Sequence, residues 1–187
     1  MPITTLDPKT ALIVIDLQNS MMAAPTVHPM PQVVKQASLL ADAFRRHSLP
    51  VVLVNVSGGA PGRIQAPRPP ALERAADWNA ILPQMNQQPS DHLVTKRAWG
   101  AFTTTDLDAR LKGEGVTQVV ICGVATSIGC ESTARSAHEL GYYVTLAIDA
   151  MSDPNADCYT NSVMRVFPRL GETGTTAEII KVLDGAA

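Results

Sequence analysis

The stretch QVVICGVATSIGCESTARSAHEL, residues 118–140, predicts a strand, a tight turn and a helix in succession. Residues 119–122 form an unbroken apolar run, which is typical of a strand covered on both faces. Small residues follow, and the predicted helix begins near Cys130. A cysteine at a helix N-terminus lies among unpaired backbone amides, which lower the pKa of a thiol and can hold an oxyanion. The stretch therefore suggests a nucleophile elbow, with Cys130 as the candidate nucleophile.

Strands and helices alternate along the rest of the chain. The predicted strands are residues 11–16, 51–56, 92–96, 143–148 and a short 167–172, and the predicted helices are residues 33–47, 78–85, 105–111, 156–166 and 176–183. Such alternation implies a parallel sheet with right-handed crossovers. We predict an α/β fold, a three-layer α/β/α sandwich with a Rossmann-like parallel sheet of about six strands. The whole chain, residues 1–187, is predicted to form a single domain.

Three chemically useful groups follow strand ends. Asp16 ends the first strand, Lys96 ends the third, and the turn 123–130 follows the fourth. In the strand order 3-2-1-4-5, ligands bind at the carboxyl ends of the first and fourth strands, where the winding reverses. The third strand lies about 10 Å from the first, a gap that a lysine side chain largely spans. We expect one shared crevice, in which Asp16 is a general acid or base and Lys96 orients it, activates a thiol or binds a substrate anion.

The composition limits the classes of partner. Hydrophobic residues make up 45% of the 187 residues and charged residues 17%, and the net charge is −2. A nucleic acid or an anionic membrane surface therefore has no electrostatic footprint to bind. No apolar run approaches the length of a membrane span, and the first residues lack the pattern of a signal peptide. We expect a small-molecule substrate, and the apolar composition favours a homo-oligomer, a dimer or larger.

The cysteines and histidines argue against disulfides and metal binding. Cys122, Cys130 and Cys158 are odd in number and lack C-x-x-C spacing, so we interpret them as reduced thiols of a cytoplasmic protein. The four histidines are scattered without the spacing of a zinc site. We predict no metal site and no cofactor.

Four motifs resemble the isochorismatase-like hydrolase superfamily. They are ALIVIDLQN at residues 11–19, VTKRAWGAFTTTDLD at 94–108, GVATSIGCESTAR at 123–135 and DAMSD at 149–153. The resemblance spans nearly the whole chain and implies the fold predicted above and hydrolysis of a small molecule. It selects no substrate, because the superfamily includes nicotinamidases, carbamoyl-amide hydrolases, other amidases and vinyl-ether hydrolases.

In the third motif, the family's nucleophile position falls on Gly129 instead of Cys130. Cysteine-dependent members read approximately GVATDxCVESTAR, and both flanks of this sequence align with that pattern. One residue is about 100° of rotation at a helix start, so we expect Cys130 to point into the helix–sheet packing as a small buried hydrophobe. Isochorismatases that carry I-G-C or V-G-C in this turn resemble the chain better. Those enzymes cleave a vinyl ether without a covalent intermediate.

The resemblance to these isochorismatases implies roles for individual residues. Asp16 would protonate the enolpyruvyl methylene, and water would attack the resulting oxocarbenium ion. Lys96 and Gln18 would position the anionic substrate and the acid. Trp99 and Phe102 follow the lysine and either wall the pocket or pack in the core.

The turn and a long loop supply the remaining candidates. The superfamily has a non-proline cis peptide in this turn, which here would join Val124 to Ala125. We expect the amides of Ala125 and Gly129 to bind a substrate carbonyl or oxyanion. Arg63 is the candidate for binding a substrate carboxylate. It lies in the proline- and glycine-rich loop 57–70, which is either a lid or subunit contact, or a surface loop without a role.

Three functions stay open at this point. The leading hypothesis is a metal-independent hydrolase that uses Asp16, Lys96 and water, without a covalent intermediate. The second is a cysteine amidase in which Cys130 attacks a carbonyl. The third is a non-catalytic binding or assembly protein, suggested by the missing nucleophile. Nicotinamidase activity is not expected, because residues 55–58 read NVSG where that branch has metal-binding D-x-H.

Overall fold

The computed structural model describes residues 3–60, 62–65 and 75–185, and over these residues six parallel strands form one sheet. The strands are β1 (Thr10–Ile15), β2 (Val51–Val56), β3 (His92–Lys96), β4 (Gln118–Val124), β5 (Tyr143–Ser152) and β6 (Glu172–Gly174). The helices are α1 (Met30–Arg46), α2 (Leu107–Gly113), α3 (Glu131–Glu139), α4 (Ala156–Asn161), α5 (Phe167–Leu170) and α6 (Thr176–Gly185). The order β3-β2-β1-β4-β5-β6 makes β1 and β4 neighbours where the winding reverses. The predicted strand order 3-2-1-4-5 is therefore confirmed, with β6 added beside β5.

Alternate side chains of β1 pack on opposite faces of the sheet. Leu12 and Val14 belong to an apolar cluster that includes buried residues of α1 and α6. Ile13 and Ile15 belong to a second cluster, which includes buried residues of α2, α3 and α5. The two clusters are the two interfaces of a helix–sheet–helix sandwich, so the predicted three-layer α/β fold is confirmed.

Several element boundaries differ from the predictions. β5 continues to Ser152, beyond the predicted end at residue 148. The predicted sixth strand, 167–172, was placed wrongly: its first residues form α5, which has a proline in its first turn and buries Phe167, and β6 begins only at Glu172. The predicted helix 78–85 is reduced to one 3₁₀ turn, Pro83–Met85. These differences lie in the short or weakly periodic segments.

Two further observations concern the described residues as a whole. No helix among them is long and apolar enough to span a bilayer. They also contain no group of three or more histidine, cysteine or carboxylate side chains that could hold a metal ion. Of the predicted loop 57–70, residues 61 and 66–70 lie outside the described part of the chain.

Candidate active site

Asp16 and Lys96 meet at the carboxyl end of the sheet. Asp16 directly follows β1, where its φ of 53° is left-handed and its backbone N–H donates to Val54 O at 2.9 Å. Lys96, the last residue of β3, donates from Nζ to Asp16 Oδ2 at 2.7 Å and to Ala98 O at 3.3 Å. The side chains are only 2% and 8% exposed for the lysine and the aspartate. The expected convergence of these two groups therefore produces a buried ion pair.

Burial changes the acidity of Asp16. Desolvation raises the pKa of its carboxyl from 3.8 to about 6, against the opposing charge and hydrogen bond of Lys96. Its Oδ2 accepts from Lys96, whereas the buried Oδ1 has no hydrogen-bond partner. An ionised carboxylate with one unsatisfied oxygen is poorly stabilised, which favours the protonated form. Asp16 can therefore exchange a proton close to neutral pH.

The turn after β4 approaches β1 unusually closely. Gly123 has a φ of 115°, and a Cβ atom there would collide with the carbonyl oxygen of Ile15. The next peptide bond, Val124–Ala125, is cis, as the resemblance implied. A π-helical turn, Thr126–Cys130, then leads into α3. Glycine is thus required at the end of β4, and the turn lies directly beside Asp16.

Gly129 lies in the part of this turn that faces Asp16. A Cβ atom built on Gly129 would lie 3.5 Å from Asp16 Oδ2, 3.2 Å from Val124 O and 2.8 Å from Ile15 Cγ2. The first distance means that a side chain at this position would be directed at the carboxylate. The last distance means that even a methyl group requires Ile15 to move. The site is therefore shaped around the absence of a side chain here.

Cys130 lies on the other side of the turn. Its side chain is fully buried, and it belongs to the apolar cluster between the sheet and α3 with Ile13 and Ala134. Burial raises the pKa of its thiol well above the ordinary value. This corrects the expectation that the helix N-terminus lowers the thiol pKa, because desolvation outweighs the helix dipole. The structure places Cys130 in the core, outside the residues that line the cavity described next.

A cavity of about 310 Å³ opens beside the Asp16–Lys96 pair. Its lining residues are Asp16, Met21, Ala24, Thr26, Met30, Val56, Gly58, Gly59, Lys96, Ala98, Trp99, Val124, Ala125, Ile128, Gly129 and Pro154. Trp99, at 63% exposure, lies at the mouth. The cavity therefore brings together Asp16, Lys96, Trp99, the cis-peptide residues and Gly129. It is small for a ligand site and mainly apolar.

Three predicted substrate contacts lie elsewhere. Gln18 is fully buried and holds strand ends together: its Oε1 accepts from Val56 N at 2.8 Å, and its Nε2 donates to Ser20 Oγ at 3.0 Å. Phe102 stacks on Tyr142 with ring centroids 5.8 Å apart. Arg63 is exposed and is not among the lining residues. Gln18 and Phe102 therefore support the fold around the cavity instead of lining it.

Asp153, which was not among the predicted site residues, holds the turn. Asp153 is 2% exposed, and its Oδ2 accepts from the backbone N and the hydroxyl of Ser127 at 2.8 and 2.7 Å. Its Oδ1 accepts from Asn155 N at 3.0 Å. The DAMSD motif was recognised only as a mark of resemblance. Its final aspartate ties the end of β5 to the turn that carries Gly129.

Comparisons with known proteins agree with this fold. Residues 10–178 match the isochorismatase domain family. The chain is 40% identical to the isochorismatase family protein YwoC of Bacillus subtilis, covering 92% of this chain and 93% of that protein. It is 36% identical to the streptothricin hydrolase of Streptomyces noursei over 75% of this chain, but that stretch is only 48% of the hydrolase. The structure of an isochorismatase family protein from Burkholderia thailandensis superposes with a TM-score of 0.91 at 39% identity, covering 96% of this chain and 98% of that one. The chain belongs to the isochorismatase family.

Proposed function

We propose that this isochorismatase-family hydrolase transfers a proton through Asp16 and uses water, without an enzyme thiol, to attack its substrate. The proposal rests on the different environments of two adjacent residues in the turn, Gly129 and Cys130. Gly129, at the family's nucleophile position, faces Asp16, whereas the sulfur of Cys130 is buried in the core. A thiolate in that core would lack both solvation and a base at hydrogen-bond distance.

The first step is protonation of the substrate. Asp16, in its acid form, donates a proton to the terminal carbon of an enol ether, and the C=C electron pair forms the new C–H bond. The positive charge that develops is shared with the ether oxygen as an oxocarbenium ion. Lys96, 2.7 Å from Oδ2, stabilises the carboxylate left on Asp16. A protonated carboxyl with a raised pKa suits this role at mildly acidic to neutral pH.

The second step is attack by water. The water oxygen bonds to the cationic carbon, and its proton returns to Asp16. The resulting hemiketal breaks its C–O bond to give a ketone and an alcohol, so that one water is consumed and the enzyme is restored. We propose that the backbone around Val124, Ala125 and Gly129 positions the oxygen atoms of this intermediate, and that Trp99 covers the substrate. The missing side chain at Gly129 leaves space for the water.

A second candidate is amide hydrolysis, favoured by the names of two relatives. These are the streptothricin hydrolase and the ureidoacrylate amidohydrolase RutB of Agrobacterium fabrum, the latter 25% identical to this chain. In that reaction Asp16, as the carboxylate, would take a proton from water and then pass it to the leaving nitrogen. The two reactions therefore require opposite protonation states of the same residue.

The test is a pH–rate profile on a panel of isochorismate, the uncharged enol ether α-methoxystyrene, and benzamide. We expect enol ether hydrolysis whose kcat/KM is greatest below about pH 6 and falls tenfold per unit above it, because the acid form of Asp16 is lost. A rate that rises through pH 6, with benzamide as substrate, would identify the amidase instead. No turnover of any member would favour a non-catalytic binding protein.

The variant Lys96→Met tests whether the Asp16–Lys96 ion pair determines the pH dependence of the rate. Lys96 lowers the pKa of Asp16 by its charge and its hydrogen bond, so its removal should move the falling limb to higher pH, by about one unit or more. An unmoved limb would mean that another group titrates. The exposed Lys112 of α2 offers the control, since Lys112→Met should leave the profile unchanged.

A further inference from the structure

The cavity wall is almost uncharged. Among the described residues that line it, Asp16 is the only anion and Lys96 the only cation. The remaining wall consists of apolar side chains, glycines and one threonine, and its largest apolar members are Met21, Met30, Val56, Trp99, Val124 and Ile128. A ligand in this space therefore exchanges water mainly for hydrocarbon and ring surface.

Lys96, the only cation among the described lining residues, already has hydrogen-bond partners. Lys96 Nζ donates to Asp16 Oδ2 at 2.7 Å and to Ala98 O at 3.3 Å, and its side chain is 2% exposed. A substrate carboxylate on the remaining N–H of this ammonium would share one cation with the ionised Asp16, and Asp16 would lose part of its stabilisation by Lys96. That loss is unfavourable in a site that already leaves Oδ1 unsatisfied. While Asp16 is ionised, the pair therefore acts as a neutral unit toward a ligand.

Two neighbouring arginines lie outside the lining. Arg97 is exposed, and its Nε lies 3.5 Å from the position of a Cβ on Gly58, at the edge of the cavity. Arg63 is exposed as well. Neither belongs to the residues that line the cavity. A carboxylate that used Arg97 would keep its charge at the rim, so that the apolar interior would receive only the uncharged remainder of the molecule.

We propose that the cavity selects an uncharged, largely apolar small molecule with a single polar hydrolysable group, and that it discriminates against carboxylates. The inference deepens the proposed function, on which it rests, by naming the substrate class. While Asp16 is ionised, it disfavours isochorismate, a dicarboxylate, as a ligand. Burial of a carboxylate against methionine, valine and isoleucine side chains would cost its hydration, and the described lining residues offer it no cation other than the paired Lys96.

The test measures binding alone, so that it is separate from the reaction. Acetophenone and benzoate have the same number of non-hydrogen atoms and nearly the same shape, but only benzoate is charged. Dissociation constants for both would be measured by ligand-observed NMR on the intact protein at pH 8, where Asp16 is ionised and keeps Lys96 occupied. We expect acetophenone to bind at least about tenfold more tightly than benzoate.

A charge variant reverses the preference. Ile128 lines the cavity and is 39% exposed, so Ile128→Lys adds a cation that the fold can accommodate. We expect benzoate binding to tighten at least about tenfold and acetophenone binding to weaken. Leu140, which is 37% exposed and lies outside the cavity lining, is the matched control, and Leu140→Lys should change neither constant.

The outcomes separate this inference from the proposed reaction. Benzoate binding as tightly as acetophenone to the wild-type protein would overturn the inference, and loss of that binding in Arg97→Gln would identify Arg97 as the anchor. Failure of acetophenone to bind would overturn it too. Asp16-dependent turnover of a substrate would stand in either case. Conversely, the predicted binding preference with no turnover would leave the substrate class intact and refute the reaction.

Discussion

Gly129 and Cys130 are neighbours in one π-helical turn, yet they belong to different parts of the molecule. Gly129 lines the cavity, and a side chain on it would lie 3.5 Å from Asp16 Oδ2. Cys130 is fully buried in the apolar cluster beneath α3, and its thiol pKa is raised by that burial. Two adjacent residues therefore lie in different environments: Gly129 lines the cavity, and Cys130 packs in the core.

The comparison shows that residue type alone does not identify a nucleophile. A cysteine near a helix N-terminus has a feature that activates thiols, but burial raises the pKa of this one, and the charge of Asp16 adds to the rise while that of Lys96 opposes it. The glycine has no reactive group, yet it lines the cavity beside Asp16, and in the proposed reaction its missing side chain leaves space for water. At this turn, the place of a residue relative to Asp16 is a better guide to the site than the residue type.

The largest loss of activity is expected from a change at Asp16, which lines the cavity with Gly129. The variant Asp16→Asn keeps the side-chain shape and tolerates the left-handed φ of 53°, but it cannot transfer a proton. We expect kcat to fall roughly 1,000-fold, with the fold retained by circular dichroism. The exposed Asp157 of α4 provides the control, because Asp157→Asn should keep full activity. Full activity in Asp16→Asn would refute the proposed chemistry.

The variant Gly129→Ala tests whether the site requires the absence of a side chain at residue 129. In Gly129→Ala, the new methyl would lie 2.8 Å from Ile15 Cγ2 and 3.2 Å from Val124 O. We expect the free energy of unfolding to fall by about 1–3 kcal/mol and kcat to fall by about tenfold.

The matched control for this variant is Gly113→Ala in α2. A Cβ atom there meets nothing within 4 Å, so its stability should be unchanged or slightly higher. The second change Ile15→Ala, made in Gly129→Ala, removes the clashing methyl and should recover part of the lost activity. If Gly129→Ala were as active and as stable as the wild type, the empty position would have no role.

A smaller effect is expected at Asp153, which holds the turn without lining the cavity. Asp153→Asn places an NH₂ group against the N–H and O–H donors of Ser127 or the N–H of Asn155. We expect a loss of about 1–3 kcal/mol in unfolding free energy, with a several-fold fall in kcat and little change in KM.

Asp149 allows a comparison within the same strand. Its Oδ1 accepts from Thr176 N and Oγ1 at the start of α6, and it is not a lining residue. Asp149→Asn should therefore affect stability but not kcat. Equal kcat values in the Asp149 and Asp153 variants would reduce Asp153 to a purely structural residue.

Much of the fold follows from local patterns in the sequence. The apolar runs of β1, β2 and β4 and the stripe of α1 predict their elements, because buried parallel strands and amphipathic helices have distinct periodicities. The error at residues 167–172 has a physical cause: four residues around a proline form a short helix only because Phe167 is buried. Such a contact depends on the assembled fold and leaves no periodic signal.

Part of the candidate site also follows from the sequence. Strand-end logic places Asp16 and Lys96 in one crevice, and the motif flanks place Gly129 at the nucleophile position. The orientation of Gln18 and Phe102 was not predictable, since each turns away from the cavity to satisfy a hydrogen bond or a ring contact. Asp153 was missed because its bonds join β5 to the turn, residues 26 positions apart. Long-range pairs of this kind have no local signature.

The variant Cys130→Ala tests whether Gly129, and not Cys130, lies at the reacting centre. Removal of a buried sulfur should lower the free energy of unfolding by about 1 kcal/mol, because it leaves a small cavity. We expect kcat/KM, measured on whichever panel compound the wild type hydrolyses, to stay within about twofold of the wild-type value. Complete loss of turnover in a variant that keeps its fold would contradict the account and make Cys130 the nucleophile.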